Sequence, residues 1–128
     1  MATRQRVKAE NRIANADKRA KAVAKNIRIS PSKVRIVLNQ IRGKSYAEAE
    51  AILKYMPNAA TESTLKVLQS AGANAENNLN LNKADLFVAE TYVDGGTILK
   101  RFQPVSKGRA HEIKKRTSHI TVILDVRQ

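Results

Sequence analysis

Leu86-Phe87-Val88-Ala89-Glu90-Thr91-Tyr92 and Ile120-Thr121-Val122-Ile123-Leu124-Asp125-Val126 are the two segments whose pairing decides the fold. In the first, Leu86, Val88 and Tyr92 alternate with Phe87, Ala89 and Thr91. In the second, Ile120, Val122, Leu124 and Val126 alternate with Thr121 and Ile123. A period of two marks a strand with one face on a core. Between them lie Gly95-Gly96, a basic stretch, and Gln103-Pro104-Val105-Ser106-Lys107-Gly108, which has turn chemistry. Setting Leu86 opposite Val126 centres the turn on Ser106, with Leu99 facing Ile113 and Lys100 facing Glu112. The expectation is one long hairpin.

Its outer half is unusual. Residues 97–116 carry seven Lys/Arg and one Glu, with only Ile98, Leu99, Phe102, Val105 and Ile113 as sizeable apolar groups. Legs of about 10 residues at ~3.3 Å each would project ~30 Å. A bare two-stranded ribbon is marginal in water and leaves two open edges. Such a ribbon needs surroundings, and its charge selects phosphate; the plainer alternative is a flexible basic loop.

Upstream, Asn26-Ile27-Arg28-Ile29 alternates as a short strand would. Ser30-Pro31 then has the form of an N-cap followed by Pro at the first helical position. Val34, Val37, Leu38 and Ile41 repeat at helical spacing, Gly43 supplies a left-handed end, and Lys33, Arg35 and Arg42 lie opposite the apolar stripe. Ser45-Tyr46-Ala47-Glu48 fits a capping box opening a second helix that buries Ala51, Ile52 and Tyr55 and stops before Pro57. A third helix is predicted from about Ala59 to Asn77, with Leu65, Leu68, Gly72 and Ala75 on one face. Gly72 there suits a tightly packed neighbour.

The 128 residues hold 24 Lys/Arg against 11 Asp/Glu, a net charge of +13. That is far more than solubility needs, so a polyanionic partner is implied. The charge is segregated: residues 1–44 carry 13 cations and 2 carboxylates, residues 45–96 carry 3 and 7, and residues 97–128 carry 8 and 2. No linker separates these parts, so a single domain over 26–128 is expected, with a hairpin extension at about 95–117. Residues 1–25, with seven Ala and eight Lys/Arg, bury too little to order alone and read as a basic arm, disordered or a frayed helix. Three roles stay open for it: an arm that orders on phosphate, a solubilising tail, or an organellar transit peptide. No apolar run reaches the ~18 residues of a membrane span, and no apolar stretch follows the first Met as in a secretory signal.

Catalytic and metal chemistry find no support. There is no Cys, and His111 and His119 stand eight apart without a carboxylate pair beside them. Glu48, Glu50 and Glu62 fit helix surfaces, no Ser/His/Asp set is suggested, and neither Gly95-Gly96 nor Lys107-Gly108-Arg109 has a P-loop context. The expectation is no enzyme, no cofactor and no metal. Aromatics are 4% of the chain, too few for base-stacking platforms, so Lys and Arg on the phosphates of folded RNA or duplex fit better.

Several segments resemble the ribosomal protein L22 family of the large subunit. They are Ile29-Ser30-Pro31-Ser32-Lys33-Val34-Arg35 with Ile41-Arg42-Gly43-Lys44, the Ser70 to Asn78 end of the third helix, and Gly108-Arg109 followed nine residues later by His119-Ile120-Thr121-Val122-Ile123-Leu124. Lys115-Arg116-Thr117-Ser118-His119-Ile120-Thr121 is the most specific piece, and the similarity runs over about 26–126. The resemblance implies an α+β fold: three helices packed on a small antiparallel sheet, with a long protruding β-hairpin. It implies binding to large-subunit ribosomal RNA, support of subunit assembly, and a hairpin tip lining the polypeptide exit tunnel beside ribosomal protein L4 and the nascent chain. Leu99, Lys100, Arg101 and Pro104, Val105, Ser106, Lys107, Gly108 and Arg109 map onto that tip, a region where family members acquire macrolide resistance. Val105 departs from the Arg that usually follows the tip Pro.

The residues expected to meet RNA are Arg28, Lys33, Arg35, Arg42, Lys44, Lys100, Arg101, Lys107, Arg109, Lys114, Lys115 and Arg116, together with Ser118 and His119. Location in the ribosome follows, cytoplasmic or organellar, with neighbouring ribosomal proteins as partners, no membrane and no homo-oligomer. The competing reading is a free-standing architectural nucleic-acid binder that inserts Pro104-Val105 as a wedge.

Overall fold

The computed structural model describes residues 2–127. Helix α1 (Ala2–Ala14) leads to strand β1 (Ala20–Ile27). Helices α2 (Pro31–Ile41), α3 (Tyr46–Tyr55) and α4 (Ala60–Leu79) follow, then strands β2 (Leu86–Gly95), β3 (Leu99–Pro104), β4 (Ala110–Lys115) and β5 (Ser118–Val126). The sheet is antiparallel with the order β1-β5-β2, and β3 and β4 form a separate two-stranded ribbon. Helices α2, α3 and α4 pack together, with α2 and α4 reaching the sheet. The fold is α+β, as the resemblance implied.

The core follows from the helical and strand periods. Val34, Val37, Leu38 and Ile41 turn inward from α2, Val67, Leu68, Ala71 and Ala75 from α4, and Leu86, Val88, Ile120, Val122 and Leu124 from the sheet. Helix α2 starts at Pro31 after Ser30, whose hydroxyl makes no capping bond, and ends before Gly43 in the left-handed region at φ +80°. Helix α3 opens with the expected capping box: the Glu48 amide donates to Ser45 Oγ, and the Ser45 amide donates to Glu48 Oε2. Its buried face differs from expectation. Tyr46, Ala49 and Leu53 go inside, Ile52 is half-buried, and Ala51 and Tyr55 are exposed. The three-four spacing admits either neighbouring stripe, and packing on α4 selects the one that starts at Tyr46.

That choice depends on Gly72. A Cβ built there would lie 2.7 Å from Tyr46 Cε2 and 2.9 Å from the phenol oxygen, so the ring fills the space that Gly72 leaves empty. Burial pushes the Tyr46 phenol pKa up.

The strands bring three corrections. First, β1 runs over Ala20–Ile27 rather than 26–29, so residues 20–25, assigned above to the arm, belong to the sheet. Ala20, Ala22 and Ala24 turn inward while Lys21, Val23 and Lys25 turn out. Alanine is a poor strand former, and pairing with β5 overrides its preference. Second, a bulge between Val88 and Glu90 reverses the phase of β2, so Thr91 is buried where Tyr92 was expected, and Tyr92 is exposed. Third, the ribbon slips. Leu86 does face Val126, but the bulge adds one residue and the 96–98 connection, one residue longer than 116–117, adds another. Leu99 therefore faces Lys115, Arg101 faces Ile113, Phe102 faces Glu112, and Lys100 faces Lys114.

Between α1 and β1, Arg19 donates to Asp17 Oδ2 at 2.7 Å and to Glu90 Oε1 at 3.3 Å, tying the start of β1 to β2. The Arg19 guanidinium lowers the Asp17 carboxyl to about 2. The Tyr92 hydroxyl and Arg19 together hold the Glu90 carboxyl below its ordinary value.

Gly72→Ala is expected to destabilise the fold by about 1–2 kcal/mol, the steric overlap outweighing the better helix propensity of Ala. With Tyr46→Leu in place the same change should become neutral or stabilising. Urea denaturation of the four proteins of this cycle measures the coupling; additive effects would refute the contact.

Candidate nucleic-acid interface

Three groups of exposed cations result from this fold. The densest lies where the start of α2 meets the base of the ribbon. A cleft of about 570 Å³ is lined by Arg28, Ser30, Ser32, Lys33, Lys114 and Arg116, among others. A second, of about 370 Å³, is lined by Pro31, Ser32, Arg35, Gly96, Ile98, Arg116 and Thr117, among others. Ser32 and Arg116 border both, so the five cations Arg28, Lys33, Arg35, Lys114 and Arg116 surround one divided notch. Arg28 Nη1 donates to the Arg116 carbonyl at 2.6 Å, which fixes the ribbon base against the link between β1 and α2. Thr117 Oγ1 donates to the Thr97 carbonyl at 2.7 Å, and the Gly96 amide donates to the Thr117 carbonyl at 2.9 Å. A side chain at Gly96 would collide with Thr117 Oγ1. This clasp between Gly96 and Thr117 was not legible as a motif in the sequence.

The second group is the ribbon. Every residue of β3 is exposed, including Phe102 at 67%, and in β4 only Ile113 is half-buried. Alternation along the pairs puts Arg101 and Lys115 on one face, and Lys100 and Lys114 on the other. Lys100 directly opposite Lys114 is a repulsive pair that an anion between or around them relieves. The tip turns through Lys107 at φ 61° and Gly108 at φ 70°, closed by the Val105 amide donating to the Arg109 carbonyl at 2.9 Å. Leu99, Val105 and the tip residues 104–109 are all exposed.

The third group, Arg42 and Lys44, sits at the far end of α2, away from the notch. Arg42 Nε donates to Thr91 Oγ1 at 3.0 Å and Nη2 to the Thr91 carbonyl at 3.2 Å, so this side chain is a tie between α2 and β2 as well as an exposed cation.

Two of the expected contact residues are placed differently. Ser118 is fully buried and its hydroxyl has no hydrogen-bond partner among the described residues, so it cannot offer a side chain to RNA. The alternation of β5 turns it to the same side as Ile120. His119 is half-buried and its Nδ1 accepts the Asn26 amide at 3.0 Å, which holds the positive φ of Asn26 where β1 leaves its register with β5.

The ion pairs separate the cations into two populations. Lys54 pairs with Glu50, Lys66 with Glu62 and Lys83 with Glu76, so all three lysines of the acidic middle have carboxylate partners. Among the described residues, none of the twelve cations from Arg28 to Arg116 expected to meet RNA forms an ion pair. Also among the described residues, no group of His, Cys, Asp or Glu could hold a metal, and no helix is long and apolar enough to cross a membrane.

A sequence profile of the ribosomal protein L22p/L17e family matches residues 22–125. The chain belongs to that family. It is 55% identical over 108 residues to the large ribosomal subunit protein uL22 of Clostridium novyi (strain NT), an alignment covering 84% of this chain and 97% of the relative. It is 53% identical over 110 residues to the protein of the same name from Synechococcus sp. (strain JA-2-3B'a(2-13)), covering 86% and 89%. Membership makes the chain a structural ribosomal protein and not an enzyme.

Ser118→Ala removes a buried hydroxyl that has no partner, and is expected to leave stability unchanged or raise it by about 1 kcal/mol. Thermal unfolding checks this; a loss of 1 kcal/mol or more would reveal a bond that the hydroxyl makes.

Proposed function

We propose that the protein binds ribosomal RNA of the large subunit, supports assembly of that subunit, and passes its ribbon through the RNA to line the polypeptide exit tunnel. The observation that carries this reading is the division of cations: the acidic middle neutralises its own, while among the described residues the cations of the notch, the ribbon and the far end of α2 have no carboxylate partner. Unpaired cations facing solvent are available to neutralise phosphates, and releasing the counterions of RNA supplies the affinity. The notch forms the anchoring site, with Arg28, Lys33, Arg35, Lys114 and Arg116 converging on one RNA segment. The ribbon, cationic on both faces, takes RNA on both sides.

At the tip, Leu99, Lys100, Arg101 and Pro104 to Arg109 border the tunnel, beside ribosomal protein L4 and the passing nascent chain. Val105, where the family usually carries Arg, makes one phosphate contact fewer there. The names of the two relatives favour the large subunit, and a bacterial ribosome in the cytoplasm is the matching location.

Replacing Val105 with a photocrosslinking residue and sedimenting a cell lysate through a high-salt sucrose gradient tests this directly. The expected result is stoichiometric migration with the large subunit and crosslinks to its RNA, to L4 and to stalled nascent chains. Protein that stays at the top of the gradient, or leaves with genomic DNA, would overturn the reading.

A further inference from the structure

Helix α1 lies outside the segment matched to the family, which begins at residue 22. From Thr3 to Ala14 every side chain is exposed, so this helix buries none of its faces in the body. Thirteen residues without tertiary support make a marginal helix in water, and one with an unmet partner is the physical expectation.

The faces of α1 differ in a way that identifies the partner. Arg4, Lys8 and Arg12 recur every four residues and form one stripe, flanked by Gln5, Asn11 and Asn15. None of these three cations has an ion-pair partner among the described residues. On the other side Arg6 donates to Glu10 Oε1 at 3.0 Å, and Ile13 stands beside them at 73% exposure. The distinction is the one seen in the body, with one population neutralised and one left free. A lipid surface is disfavoured because an interfacial helix needs a broad apolar face, and here the face opposite the stripe carries the Arg6–Glu10 pair.

We propose that α1 is a separate binding element for the phosphate backbone of paired RNA, with Arg4, Lys8 and Arg12 as its phosphate contacts. A rise of 1.5 Å per residue spaces these cations by ~6 Å, close to the separation of consecutive phosphates on a regular strand. The amides of Gln5, Asn11 and Asn15 flank the stripe as donors for phosphate oxygens and 2′-hydroxyls. The helix has no aromatic side chain on which an unpaired base could stack, which favours duplex over single strand. This element rests on the ribosomal-RNA reading above and adds to it a contact outside the matched segment.

The full chain, binding deproteinised large-subunit RNA across a range of KCl concentrations, provides the test. The triple variant R4Q/K8Q/R12Q should lower the slope of log K against log salt by about 2 to 3, at 0.7–0.9 per phosphate contact. R6Q/E10Q, which removes the paired charges and leaves the net charge unchanged, should keep the wild-type slope. Thermal unfolding of both variants should match the wild type, because α1 contributes no buried surface. The chain lacks cysteine, so Ala9→Cys, at an exposed position outside the proposed contacts, gives one attachment point for a hydroxyl-radical probe, which should cut paired nucleotides. If the wild type binds and the triple variant keeps its slope, or the probe cuts only unpaired loops, the role of α1 is overturned while the body's reading stands. If the wild type does not bind this RNA at all, both fall.

Discussion

Strand β5 is hydrogen-bonded along both edges, to β1 and to β2, and sends Ile120, Val122 and Leu124 into the core at 0% exposure. Everything else depends on that strand. Helices α2 and α4 pack against it, and the chain that enters it at Ser118 comes straight from the ribbon. The direction of β5 therefore aims the ribbon, and the clasp of Gly96 and Thr117 with the Arg28–Arg116 bond fixes the angle of departure. A body that holds a bare ribbon by its base is a way to deliver a highly charged segment to a defined place.

Charge follows the same division of labour. Where the chain must pack on itself, through α3, α4 and the start of β2, lysines are few and each is met by a carboxylate. Along residues 28–44 and 97–116, which supply the cations of the interface, Glu112 is the single carboxylate. Isolated, such a surface repels itself, as Lys100 and Lys114 do across the ribbon. In the proposed complex, a phosphate backbone turns that cost into affinity.

Much of this architecture is legible in the residues. The spacing of Val34, Val37, Leu38 and Ile41 announces α2, Ser45 and Glu48 announce the start of α3, and the smallness of Gly72 announces a close neighbour. What stays hidden depends on tertiary context. Alanines in β1 read as helix or coil, and only pairing with β5 makes them a strand. A single bulged residue after Val88 shifts every later pair and exchanges Thr91 for Tyr92 inside. The cations of the interface could be named from composition and resemblance, yet their grouping could not. Only the fold brings Arg28 to Arg116, commits Arg42 to Thr91, and takes Ser118 into the core.

On the proposed reading, a rigid body carries a ribbon whose order comes from RNA. The decisive experiment is amide hydrogen exchange on the full chain, free and bound to large-subunit RNA. Free protein should protect residues 120–124 strongly and residues 99–115 hardly at all, and RNA should slow exchange across the ribbon by orders of magnitude. Strong protection of the ribbon in the free protein, or no slowing on RNA, would contradict it.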